Sequence, residues 1–215
     1  MDSYFSVENS SVGEYKEKGS KFISYVFPME KEAELLQRLA EIKAEHPKAR
    51  HYCFAYRLGI DGYSFRMNDD GEPSGTAGKP IYGQILSHVF SDVLVVVVRY
   101  FGGTKLGASG LIQAYKAAAS DALGKAGRKE KILKKTFRIY FPLSETGHVY
   151  NVVKSLQLET GLSSFDKHPW LEAAIRIDEV HDVTKELKAL LLRIPFEQGT
   201  SMQEDDWGDF RIDIV

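Results

Sequence analysis

The 215-residue sequence predicts an α+β protein of two domains, and three observations carry that expectation. Segments of strand period alternate with segments of helical period along the chain. The run Val93 to Val98, VLVVVV, is apolar at every position, as in a strand buried on both faces in the middle of a sheet. Past a basic stretch the pattern restarts and reads β-α-β-β-α-β, the order of a ferredoxin-like split unit. The expected division is an N-terminal α/β sandwich over residues 1–126, a basic linker over 127–136 and a ferredoxin-like domain over 137–215.

Each element follows from its local pattern. Tyr15 to Phe27 mixes aromatic and β-branched residues with Lys and Ser, and reads as one or two edge strands. From Glu30 to Glu45, Leu35, Leu36, Leu39 and Ile42 recur at helical spacing until His46-Pro47 closes the segment. His51 to Leu58 alternates, with Tyr52, Phe54, Tyr56 and Leu58 on one face and His51, Cys53, Ala55 and Arg57 on the other. Tyr63 to Met67 pairs with it through the turn Gly59-Ile60-Asp61-Gly62. Asn68 to Pro80 is rich in Gly, Pro, Asp and Ser and reads as loop. Ile81 to Phe90 is helical by spacing, the Val-rich strand follows, and Leu111 to Leu123 is an Ala-rich helix.

The segment from Gly124 to Arg138 sets seven cations against Glu130 alone, which suggests the linker. Beyond it, Phe137 to Leu143, Leu162 to Lys167, Leu171 to Ile177 and Phe210 to Val215 read as strands. Ser144 to Gln157 and Asp182 to Leu192 read as helices, with Glu145 placed to suit the first helix dipole.

Composition narrows the function classes. An apolar share of 43% and a charged share of 27% are those of a globular chain. The net charge of -2 gives no global pull toward nucleic acid or membrane, but residues 1–135 hold 20 cations and 16 acids, a net of +4, and the rest -6. The single Cys53 excludes an internal disulfide and fits a cytoplasmic setting. The polar opening residues and the short apolar runs predict neither secretion nor membrane insertion.

Three segments stand out as candidates for function. They are His51-Tyr52-Cys53-Phe54-Ala55-Tyr56, the loop Asp69-Asp70-Gly71-Glu72-Pro73-Ser74-Gly75-Thr76-Ala77-Gly78-Lys79-Pro80, and Arg99-Tyr100-Phe101-Gly102-Gly103-Thr104-Lys105-Leu106-Gly107. In this order and spacing they resemble the N-terminal signature of the IMPACT family, in its YigZ-type bacterial branch, over roughly residues 15 to 125. The family more often has paired glycines where this chain has Ser109-Gly110, which implies a slightly less open helix start. The resemblance implies an N-terminal fold similar to the second domain of ribosomal small-subunit protein five and to domain IV of elongation factor G. It implies a C-terminal domain similar to domain V of that factor. Eukaryotic relatives regulate translation by competing for the ribosome-associated activator of the amino-acid-starvation kinase, and bacterial members have been suggested to bind nucleic acid.

Chemistry gives each segment two readings. The turn from Arg99 to Gly107 can expose backbone N–H groups beside Arg99 and Lys105, an anion site; alternatively Gly102 and Gly103 make only a tight turn and Arg99 pairs with an acid. It matches neither the P-loop nor the Rossmann pattern, so no nucleotide cofactor is indicated. Asp69, Asp70 and Glu72 suit a hard cation with His51 or Cys53 beside them, yet the spacing is not an EF-hand and no zinc pattern is present. Asp-Asp-Gly and Glu-Pro-Ser-Gly are equally what turns require, so no metal is assigned. Cys53 on an apolar strand reads as core; Ser74 has no evident base, and its phosphorylation is not required by anything here. Tyr52, Phe54 and Tyr56 read as core rings ahead of a base-stacking surface. The acidic run Glu204-Asp205-Asp206-Trp207-Gly208 would resist RNA, which leaves any such surface to the first domain and linker.

The favoured function is non-catalytic binding linked to translation or its stress regulation, with RNA, DNA, the ribosome or a translation-associated protein as partner. The expected surface comprises Arg99 to Gly107, Asp69 to Lys79 with His51, and the basic residues near the linker. One alternative is a Mg²⁺-dependent hydrolase, Asp69, Asp70 and Glu72 holding the metal while Arg99 and Lys105 clamp a phosphate. The other is a protein-binding adaptor anchored by Tyr100 and Phe101.

Overall fold

The computed structural model describes residues 2–201 and 207–215. By its internal contacts the chain divides into two compact units, Ser3–Lys131 and residues 132–215 together with Asp2.

The first unit is a five-stranded sheet in the order β2-β3-β6-β4-β5, formed by β2 (Ser11–Glu17), β3 (Ser20–Pro28), β4 (His51–Leu58), β5 (Ser64–Asn68) and β6 (Val93–Tyr100). All its neighbours are antiparallel. The Val-rich strand is central because nothing polar in it needs water, and Val93 to Val98 are all 0% exposed. Helix α1 (Glu34–Glu45) covers one face, where Leu35 and Ile42 pack on Tyr52, Phe54, Tyr56, Leu94 and Val96. Helices α2 (Gly78–Ser87) and α3 (Gly107–Lys125) cover the other, where Ile81, Ile85, Ala118 and Ala122 meet Phe22, Cys53, Val95 and Val97. The three aromatics of β4 are therefore core, beneath α1.

The alanine stripe of α3 lets its backbone approach β2 closely. A Cβ at Gly13 would sit 2.5 Å from the Ala122 nitrogen, so only glycine fits there. Two further bonds stitch the contact: Ser11 Oγ to Ala122 O at 2.7 Å and Glu14 N–H to Asp121 Oδ2 at 3.0 Å.

Several boundaries differ from expectation. The segment expected as edge strands resolves into β2 on the edge and β3 inside the sheet, because β3 pairs with both β2 and β6. Helix α2 takes in the last residues of the expected loop, and α3 starts at Gly107, four residues before the apolar spacing begins. The division between the two units, after Lys131, falls within the expected linker of residues 127–136, but this stretch is not open chain. Strand β7 (Lys129–Ile132) pairs with β1 (Ser3–Ser6), an element the sequence pattern did not reveal, and β8 (Lys134–Tyr140) begins two residues later. Backbone pairing competes with solvation here, and side-chain partners neutralise much of the charge: Lys125 to Asp121, Lys131 to Asp92 and Glu30, Lys134 to Glu159, and Arg138 to Glu172.

The second unit follows β8 with a 3-10 turn at Leu143–Glu145, then α4 (Thr146–Ser155), β9 (Glu159–Ser164), β10 (Trp170–Arg176), α5 (Val180–Leu192), α6 (Phe196–Ser201) and β11 (Arg211–Ile214). Its sheet order β11-β8-β10-β9 is antiparallel throughout, with β10 inserted between the two strands that flank α4. This is the split βαββαβ arrangement. Helices α4 and α5 cover one face, Val149, Val153, Leu187 and Leu191 packing on Ile139, Phe141, Leu171 and Ala173. Residues 204–206 of the acidic run lie outside the described residues. No described helix is long and apolar enough to cross a membrane.

Replacing Gly13 by Ala forces α3 away from β2. Overpacking of this kind costs about 1–3 kcal/mol, and a lowered urea midpoint with an unchanged slope is the expected outcome.

Candidate functional site at one end of the N-terminal sheet

Strands β5 and β6 both run antiparallel to β4, so their C-terminal ends emerge at the same end of the sheet. The loop 69–77 leads from β5 into α2 and the loop 101–106 from β6 into α3, so both helix N-termini point to that end. The turn Lys18-Gly19 between β2 and β3 and the start of β4 join them, since Lys21 pairs with Tyr100 and His51 with Arg99.

Beneath these loops lies a buried polar network. Arg99 Nη1 stands 2.7 and 2.9 Å from the two carboxylate oxygens of Glu72, with side chains only 7% and 3% exposed. Tyr115 Oη, from the middle of α3, donates to Glu72 Oε1 at 2.7 Å. Cys53 Sγ lies 3.0 Å from the Asp69 carbonyl oxygen and 3.3 Å from Tyr115 Oη. Burial pushes the Cys53 thiol and the Tyr115 phenol upward, with Glu72 acting in the same direction, so both stay protonated and neither is a nucleophile at neutral pH. The Arg99 guanidinium is flanked by Phe22 at 5.5 Å and the exposed ring of Phe101 at 5.6 Å.

The acidic loop is held from within. Asp69 accepts N–H bonds from Gly75, Ala77 and Gly78 at 2.8, 2.9 and 2.8 Å, at the entry to α2. Burial works against its charge, yet these amides outweigh burial and keep the carboxyl below its ordinary value. Asp70, at φ 39°, accepts the Tyr52 N–H at 2.7 Å, and His51 Nδ1 lies 2.8 Å from the Asp70 carbonyl oxygen. The three carboxylates therefore serve three separate structural tasks. Among the described residues, no group of three His, Cys, Asp or Glu side chains is placed to hold a metal ion.

The two glycines after Phe101 do different work. A Cβ at Gly102 would lie 1.9 Å from the Gly19 carbonyl carbon, which seats this loop against the β2–β3 turn. Gly103 has open space but a φ of 88°, where only glycine is unstrained.

The sequence-derived candidates divide into two sets. Arg99 is not an exposed phosphate clamp: it is buried and its partner is Glu72, the acid pairing that its motif also allowed. Tyr100 is turned toward α1, its Oη 2.9 Å from His46 Nδ1, while Phe101 is 58% exposed, so only one of the two rings is presented. Gly102, Gly103, Thr104, Lys105, Gly107, Ser74 and Lys79 are exposed; Asp69, Asp70 and His51 are half-buried, and Glu72 is buried. Ser109 occupies the exposed first turn of α3, whose start carries no side-chain cap. Sequence reasoning missed Tyr115, the one hydroxyl-tipped side chain on the buried alanine stripe, and also Lys18, Lys48 and Arg50 at the same end. Lys18, Lys48, Arg50, Lys79 and Lys105 are all exposed, and among the described residues none has a carboxylate oxygen within 4.0 Å.

These loops, and the sheet that bears them, define the class of domain: the Impact N-terminal domain, whose family model matches residues 18–123, from the β2–β3 turn nearly to the end of α3. The chain belongs to the IMPACT family. It is 36% identical over 157 residues to the Bacillus subtilis (strain 168) IMPACT family member YvyE, covering 73% of this chain and 72% of that protein. It is 45% identical over 84 residues to the Escherichia coli (strain K12) IMPACT family member YigZ, covering 38% and 41%. A crystal structure of a hypothetical protein superposes with a TM-score of 0.70 at 26% identity, covering 94% of this chain and 96% of that one.

Removing Glu72 as Ala strands a buried guanidinium whose Nε already lacks a partner. The expected loss is about 3–5 kcal/mol, measured by urea unfolding. Asp69 titrates in a window set by its depressed value. Its stabilisation is complete above the ordinary carboxylate pKa of about 4 and disappears as pH falls through the lower folded value. The stability gap between the wild type and Asp69→Asn therefore narrows on acidification below about pH 4; a gap that is constant down to the acid transition would contradict this.

Proposed function

We propose that this protein is a non-catalytic binding protein linked to translation, whose N-terminal loop cluster meets the phosphates of a ribosomal or other nucleic-acid partner. The observation that carries this reading is the imbalance of charge at one end of the sheet. Five exposed cations there lack carboxylate partners among the described residues, while the acids of the same loops are occupied by backbone amides and by Arg99. Phosphate oxygens are the natural complement of such a surface, and Phe101 beside it supplies an apolar anchor.

Family membership supports the link to translation, because eukaryotic members act there. The expected similarity of the two domains to domains IV and V of elongation factor G belongs to the same reading. The carboxylates required by a Mg²⁺-dependent hydrolase are spent on folding the loop, so nothing in their geometry favours that alternative.

The test is binding to purified ribosomes, ribosomal RNA fragments and a DNA duplex across a salt titration. Lys79→Ala and Lys105→Ala should each weaken binding and lower the salt slope by about 1. Absence of binding to all three at low salt defeats the reading.

A further inference from the structure

The sheet of the second unit has a face that its own helices leave uncovered. Along β8, Ile139 and Phe141 point to α4 and α5, so Thr136, Arg138 and Tyr140 point the other way. Register places Arg211, Tyr140, Trp170 and Ser164 in one row across the four strands, with Asp213, Arg138 and Glu172 in the next. Tyr140 and Trp170 thus occupy directly opposed positions on neighbouring strands. Each ring carries a guanidinium: Arg211 Cζ lies 4.0 Å from the Tyr140 centroid and Arg138 Cζ 4.1 Å from that of Trp170.

We propose that this face is a stacking platform for single-stranded nucleic acid. Directly opposed residues in an antiparallel pair stand about 5 Å apart, which offers one ring to each of two successive bases. Bases stack on aromatic faces and on guanidinium planes alike, and the four-stranded sheets of one class of RNA-binding domain use their aromatics in this way. Arg138, paired with Glu172 through Nη2, keeps a buried Nε with no hydrogen-bond partner among the described residues. Tyr140 and Arg211 also border a cleft of about 660 Å³ at the strand ends, with Lys167, His168 and Phe210, roomy enough for a base turned out of the strand. Asp166 and Asp209 line the same cleft and favour a base over a phosphate there. The neighbouring face positions Thr136, Ser164 and Ala174 are small, and leave the rings of Tyr140 and Trp170 as the large groups of the two central strands there.

Glu172 and Asp213 pair with the two arginines, and this part of the chain is net negative. Stacking, not counterion release, therefore supplies the affinity, and the salt dependence is shallow. That property separates this surface from the loop cluster. The inference rests on the reading of a nucleic-acid partner but not on the loops.

The experiment uses the full chain with Trp207→Phe, which leaves Trp170 as the one remaining tryptophan. Titration with short oligouridine and oligothymidine should quench Trp170 at both low and high salt, whereas a DNA duplex should not. By anisotropy of a labelled oligonucleotide, Trp170→Val and Tyr140→Val should each weaken single-strand binding at least about fivefold. Trp170→Phe and Tyr140→Phe should retain it, and Lys79→Ala with Lys105→Ala should leave the quench in place. An unchanged Trp170 signal, or folded Val variants that bind as the wild type does, overturns the proposal and leaves this face to a protein partner.

Discussion

The bond between Arg99 and Glu72 is the interaction on which the candidate surface depends. It joins the penultimate residue of the central strand to a loop that has no regular structure of its own, and Tyr115 ties Glu72 to α3. A buried ion pair is not a large net source of stability, because desolvation offsets much of its attraction. Its contribution is to exclusivity. With Glu72 fixed, the loop has one way to lie over the sheet end, and Asp69 and Asp70 then fall where the α2 amides and the Tyr52 N–H await them. Phe101 rests over the Arg99 guanidinium, at the surface above the pair.

Much of the architecture was legible in the sequence because it follows from period and burial. VLVVVV announced a central strand, the alternation of His51 to Leu58 announced two different faces, and the second half spelled out its βαββαβ order. Arg99 was less legible. Beside glycines at a strand end, an arginine reads as an anion ligand, and only its acid partner 27 positions upstream decides otherwise. The basic stretch misled for the same reason. Lys131 looks solvated in sequence, but Asp92 and Glu30 reach it through the fold. Short β1 has no periodicity to betray it, and its partner strand lies more than a hundred residues away.

The two units offer different physics to a ligand. At the sheet end of the first, exposed lysines and Arg50 have no carboxylate partner among the described residues, and their attraction is long-ranged and weakened by salt. On the open face of the second, the arginines are already paired with acids, and the planar groups are what remain available.

Strand order in the first unit has a consequence for how the chain is made. Strands β3 and β4 do not bond to each other; each pairs with β6, which is inserted between them although it comes later in sequence. During synthesis the hairpins β2–β3 and β4–β5 are therefore complete while each still presents an unpaired inner edge. Those edges stay open until residues 93–100 have emerged, and a chain halted short of that point displays two sticky borders and no core to close them.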